Sequence, residues 1–156
     1  MKIAVANDHR GRNAIEQVKA IIAQLGFECV DCSTSGDQAV DYPDTAYVAT
    51  QRIVEKLADR AILVCGTGIG MSIAANKVKG IRAALCFDEL SAKFSREHND
   101  ANVLCLSGDL LGSTMLQKIV ETWLTTGFVA GRHLRRVRKI TAIEEGNDPR
   151  EISTAQ

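Results

Sequence analysis

Ala61-Ile62-Leu63-Val64-Cys65 is an unbroken apolar run, and Gly66-Thr67-Gly68-Ile69-Gly70 follows it without a spacer. So short a run, stopped by glycine, reads as a buried strand, and the glycine-rich segment as a turn into a helix. Four more runs of this kind occupy residues 2–6, 27–32, 82–87 and 102–106. Each is nearly continuous in apolar residues, as in parallel strands covered on both faces. Amphipathic stretches at 13–25, 44–58, 71–78, 89–97 and 111–125 alternate with them. This alternation predicts an α/β fold: a Rossmann-like three-layer sandwich with a five-stranded parallel sheet. A further helix is expected from Gly131 to about residue 145, with no strand after it, free to pack on the sheet or on a partner. Residues 1–145 therefore read as a single domain, and residues 146–156, polar and carrying Pro149, as a loose tail.

Composition narrows the function classes. The chain has 156 residues, 46% hydrophobic and 24% charged, with a formal net charge of zero. That balance belongs to an ordinary globular domain with a sizeable core. It argues against non-specific binding to nucleic acid or to an anionic membrane, which needs a basic surface. No stretch approaches the ~20 apolar residues of a membrane span. Asp8 interrupts the N-terminal run before a signal segment forms, so a cytoplasmic protein is expected. Five cysteines, an odd number, do not form a disulfide framework. Cys29, Cys32, Cys86 and Cys105 read as small core residues. The spacing of Cys29 and Cys32 also suits zinc or redox chemistry, but the pair lies along a strand and no second pair exists.

In open parallel sheets ligands bind beyond the carboxyl ends of the strands. The residues following each run are therefore Asn7-Asp8-His9, Ser33-Thr34-Ser35-Gly36, the glycine-rich loop, Asp88, and Ser107-Gly108-Asp109. The loop presents bare N–H groups able to hold a phosphate or a developing enediolate oxygen. It lacks the Lys-Ser/Thr ending of a nucleotide-triphosphate loop. It is also what a tight strand-to-helix turn looks like. Cys65 stands at the helix entrance, where a thiolate is favoured and accessible, fit for a nucleophile or a base.

His9, His98 and His133 all sit among polar residues. A three-histidine zinc site lacks short ligand spacing. His98, with Asn99, ends a helix just before a strand and suits proton transfer near neutral pH. In the basic run of residues 132–139, Arg132 and Arg136 are one helical turn apart. Two guanidinium forks on one face suit a phosphate. A solvated basic face is the plainer alternative.

Asp8-His9, Asp41-Tyr42-Pro43, the loop 65–70, Ala74-Ala75-Asn76-Lys77, Gly80-Ile81-Arg82-Ala83, His98-Asn99-Asp100-Ala101-Asn102 and Gly131-Arg132-His133 follow one another in order. Taken together they resemble the B-type ribose-5-phosphate isomerases, a family that also contains the galactose-6-phosphate isomerase subunits. The resemblance spans residues 2–145. It implies a homodimer, in some members a tetramer, with active sites shared between subunits. It implies exchange of ribose 5-phosphate and ribulose 5-phosphate through a cis-enediolate, without metal or cofactor. Cys65 is implied as the base, since a sister subfamily uses a Glu where this chain has Met71-Ser72. His98 is implied as the acid/base that opens the sugar ring, aided by Asp8. Thr67 and the backbone N–H groups of Gly66 to Gly70 would stabilise the enediolate. His9, Arg132 and Arg136 would hold the phosphate, and Tyr42 and Asn99 would line the sugar.

Two positions depart from that pattern. Asp109 stands where family members carry a phosphate-binding Arg, and a carboxylate repels phosphate. Arg10 and Arg12 replace small or apolar residues after the first strand. Arg10 and Asp109 are therefore candidate specificity residues. They leave open allose 6-phosphate, galactose 6-phosphate or a free aldose as substrate, and a non-catalytic sugar-phosphate-binding module as the rival outside catalysis.

Overall fold

The computed structural model describes residues 1–33 and 38–153. Thr34, Ser35 and Gly36, expected at the rim after the second strand, lie outside the described residues, as do residues 154–156. Strands β1 (Lys2–Asn7), β2 (Glu28–Asp31), β3 (Arg60–Cys65), β4 (Ala83–Leu85) and β5 (Val103–Ser107) form one sheet in the order β2-β1-β3-β5-β4. Every pairing is parallel, with Cys65 opposite Ser107 and Asn7 opposite Val64. Helices α1 (Arg12–Gln24), α2 (Tyr42–Val54), α3 (Ile69–Ala75), α4 (Glu89–Asn99) and α5 (Ser113–Thr125) complete the alternation, and α6 (Gly131–Glu144) follows. This is the α/β architecture expected from the sequence.

Alternation along the strands sorts the core into two halves. Ile3, Val5, Ile62, Val64, Leu104 and Leu106 face α1, α4 and α5, where Ile15, Val18, Leu116, Ile119 and Trp123 meet them. Ala4, Ala6, Leu63, Cys65, Val103 and Cys105 face α2 and α3, against Ala46, Ala49, Met71 and Ala75. Alanines on both β1 and α2 let that helix lie close to the sheet. Each large side chain buried this way contributes about 1.5–3 kcal/mol.

The edges of the sheet differ from the expectation of strands covered on both faces. β2 is an edge strand, mostly exposed, so Cys29 is exposed and Cys32 half-buried, whereas Cys86 and Cys105 are core residues. α2 ends at Val54 rather than near residue 58. Lys56 turns to a φ of 60°, and the Leu57 N–H folds back to the Arg52 carbonyl at 2.8 Å, closing the helix. The tail is not loose along its described length: a 3-10 turn, Pro149–Glu151, packs against α6.

Helix α6 packs on α4. At its far end Glu144 accepts a 2.7 Å hydrogen bond from the Gly80 N–H, just ahead of β4. It therefore lies along the amino-terminal rim of the sheet.

Trp123 is fully buried, with the Arg60 and Arg96 guanidiniums 5.3 and 5.8 Å from its ring. Burial, with Arg96 alongside, lowers the Arg60 pKa to about 10. Replacing Trp123 by Ala should cost about 3–5 kcal/mol in urea unfolding. Trp123→Phe should cost less, because the indole N–H has no partner among the described residues.

Candidate active site

The crossover through α1 packs on one face of the sheet and the crossover through α2 on the other. β1 and β3 are neighbours, so a crevice opens between their carboxyl ends. Asp8 leaves β1 there and Cys65 ends β3. A cavity of about 270 Å³ lies at this point, lined by Asp8, Tyr42, Cys65 and Thr67, with Arg10 and Asp109 beside Gly66.

Cys65 is 5% exposed and its Sγ accepts a 3.1 Å hydrogen bond from the Gly68 N–H. The loop's own backbone thus orients the sulfur. Gly68 has a φ of +77°, and a Cβ there would come within 2.5 Å of Leu85 and 3.0 Å of the Leu106 carbonyl. Only glycine turns the chain so sharply in that space. Ile69 N–H bonds the Thr67 hydroxyl at 3.3 Å. Of the five N–H groups expected to face an enediolate, Gly68 and Ile69 are thus already engaged. Those of Gly66, Thr67 and Gly70 make no hydrogen bond among the described residues. Helix α3 is seven residues long, so these free donors, more than a helix dipole, are what the loop offers.

Neighbouring loops hold this arrangement. Ser107 Oγ donates to the Gly66 carbonyl at 2.6 Å and accepts from Leu110 N–H at 2.9 Å. Asp8 is 5% exposed, and its Oδ1 accepts from the N–H groups of Arg10 and Gly11 at 2.9 and 3.0 Å. One carboxylate oxygen therefore shapes the turn. Tyr42, at the head of α2 before Pro43, lays its ring against Gly70. His9 is exposed, with Nδ1 3.4 Å from the Val40 carbonyl.

His98, Asn99, Arg132 and Arg136 are elsewhere. α4 starts at the carboxyl rim and descends, so His98 and Asn99 emerge at the amino rim, next to Arg82 and β4's beginning. The five residues of β5 separate the two rims, about 17 Å at ~3.3 Å per residue. Within one chain, His98 does not reach the Cys65 cavity. Its ring stacks between Phe94, 4.7 Å away, and His133, 4.1 Å away. Asp100 ends α4 with a φ of 46°, and two guanidiniums clamp its carboxylate: Arg82 at 2.9 Å and Arg96 at 3.0 Å. Burial lowers the pKa of Arg96, more than Asp100 opposes it. The exposed Arg132 and Arg136 form no hydrogen bond or ion pair among the described residues.

His133 and the clamp of Arg82 and Arg96 on Asp100 were not singled out as working parts from the sequence. A stack between two helices leaves no local pattern, although an Arg at 96 on the buried face of α4 was a signal available to sequence reading.

The pattern of the Ribose/Galactose Isomerase family matches residues 3–140. The chain belongs to that family. The Ribose-5-phosphate isomerase B of Escherichia coli is 41% identical over 144 residues, covering 92% of this chain and 97% of its own. The solved Ribose-5-Phosphate Isomerase B of Clostridium thermocellum superposes with a TM-score of 0.91 at 44% identity, over 94% of this chain and 99% of the other. That of Thermotoga maritima gives 0.86 at 48% identity, over 90% and 97%. Membership of the isomerase family therefore agrees with the resemblance read from the motifs, and makes this an aldose–ketose isomerase of the B type.

Burial first, then the His98 ring and the Arg132 and Arg136 guanidiniums, lower the His133 pKa below the ordinary imidazole value. The unfolded chain then takes up the proton more readily, so stability should fall as pH drops through about 6.5. Urea midpoints between pH 8 and 5 should decline on the acid side, and His133→Gln should flatten that limb. Equal slopes in both proteins would mean that other groups dominate.

Proposed function

We propose that this chain interconverts ribose 5-phosphate and ribulose 5-phosphate through a cis-enediolate, in active sites each completed by a second copy of the chain. The observation that carries this is the Cys65 sulfur, held by its own loop beside unbonded N–H groups at the switch point of the sheet. The ring of the closed sugar opens first: His98 moves the proton between the anomeric hydroxyl and the ring oxygen, with Asp8 assisting. The Cys65 thiolate then takes the proton from carbon 2 of the open aldose. Charge moves to the oxygen on carbon 1, where Thr67 and the free N–H groups of Gly66 and Gly70 stabilise it. The carbon 2 hydroxyl proton passes to the carbon 1 oxygen, and return of the abstracted proton to carbon 1 yields the ketose. The phosphate does not react; His9, Arg132 and Arg136 hold it, and its binding positions the reacting carbons. Tyr42 and Asn99 line the sugar between the halves.

The separation of the two sets of residues supports a homodimer. His98 and the two unpaired arginines belong to the amino rim, Cys65 to the carboxyl rim, and a partner is needed to bring them together. Exposed Ile69 and Ile73 on α3, with Ile140 and Ile143 on α6, supply apolar surface for such a contact. No helix among the described residues is long and apolar enough to cross a membrane, in keeping with a cytoplasmic enzyme on a small phosphorylated substrate. A different sugar phosphate or a free aldose is the second reading, favoured by the carboxylate of Asp109 in the cavity.

Activity on ribose 5-phosphate, allose 6-phosphate, galactose 6-phosphate and free ribose separates these readings; turnover of free sugars alone would overturn the phosphate assignment. Cys65→Ala should lower kcat by about 100- to 10,000-fold, the span of a general base. His98→Ala should spare open-chain substrates. Mixing the two variants through unfolding and refolding should restore about a quarter of the activity on ring-closed ribose 5-phosphate, since half the dimers then carry one intact site of two. No recovery would mean that each site is built from one chain.

A further inference from the structure

Arg10 comes from the loop after β1 and Asp109 from the loop after β5, and the two side chains meet at the Cys65 cavity. Arg10 Nε and Nη2 both reach Asp109 Oδ2, at 2.8 and 2.6 Å. A Cβ on Gly66 would stand 2.8 Å from Arg10 Nε and from the same carboxylate oxygen. The pair is therefore seated on the loop that carries Cys65. Both backbones are pinned as well: Arg10 N–H donates to Asp8 Oδ1 at 2.9 Å, and Asp109 N–H to the Gly66 carbonyl at 3.1 Å. The Arg10 side chain is 59% exposed. An ion pair so open to water adds little to stability, so its position at the cavity calls for another role.

The atoms left over define the ligand. A guanidinium grips phosphate with two parallel N–H groups, and here one such edge, Nε with Nη2, is committed to a carboxylate. Asp109 also neutralises the charge of Arg10 and would repel a phosphate dianion. What remains on the pair is the Nη1–Nη2 edge of Arg10, a donor, and Oδ1 of Asp109, an acceptor; neither Nη1 nor Oδ1 is bonded among the described residues. A donor next to an acceptor matches a hydroxyl, which gives one hydrogen bond and takes another.

We infer that the Arg10–Asp109 pair reads a hydroxyl of the open sugar chain beyond the reacting carbons, and so determines which aldose phosphate the cavity accepts. The inference rests on the isomerase reading of the same cavity and adds its specificity element. Pentitol 5-phosphates test it, since they stay open and cannot isomerise. Calorimetry would compare ribitol 5-phosphate with its 3-deoxy and 4-deoxy analogues on the wild type, Arg10→Gln, Asp109→Asn and the double variant. Loss of the hydroxyl that the pair reads should weaken binding to the wild type by about 10- to 100-fold, as for a hydrogen bond to a charged group. On the double variant the same loss should cost under about threefold. Equal penalties in wild type and double variant would overturn the inference. So would variants that change affinity for the pentitol phosphates but leave every hydroxyl penalty intact, since the pair would then act on the phosphate. Solvent deuterium uptake at carbon 2 of ribose 5-phosphate by the wild type is measured alongside. Its absence would sink the isomerase reading, while the binding comparison still decides what the pair contacts.

Discussion

The parallel pairing of β1 with β3, with α1 and α2 on opposite faces, is the constraint on which the site depends. Crossovers that leave on different faces cannot both cover the ends of the strands between them. The uncovered gap falls where Asp8 and Cys65 leave the sheet. Local chemistry then refines it. The left-handed turn at Gly68 returns a backbone N–H to the Cys65 sulfur, while the loop after β5 locks the same turn from the other side through Ser107. Two segments that are distant in sequence thus hold the turn that orients one sulfur atom.

The length of the strands imposes a second constraint. A helix that follows a parallel strand must run back antiparallel to it, so whatever ends α4 emerges at the rim opposite the cavity. His98 ends α4. Its ring is held by stacking and by the capped turn at Asp100, not by any contact with the cavity. α6 brings Arg132 and Arg136 to the same rim because His133 packs on His98. The molecule therefore carries Cys65 on one edge and cationic and imidazole side chains on the other.

Charge is arranged differently on the two edges. At the amino rim, Arg132 and Arg136 form no ion pair among the described residues. At the carboxyl rim, Arg10 is neutralised by Asp109.

Much of the fold was legible in the sequence. The apolar runs ended by glycine or Asp marked the parallel strands, and the loop after Val64 marked where Cys65 would be offered. Those features are local: a strand's burial on two faces and a turn's need for glycine are written in consecutive residues. The exposed β2, the stack of His98 on His133, the clamp on Asp100 and the pairing of Arg10 with Asp109 were not legible. Each joins residues from separate elements, and the last spans ninety-nine positions of chain. Strand order decides which strand is an edge, and helix direction decides which rim a residue reaches. Residue type and local spacing are blind to both, because they arise only when the whole sheet is assembled.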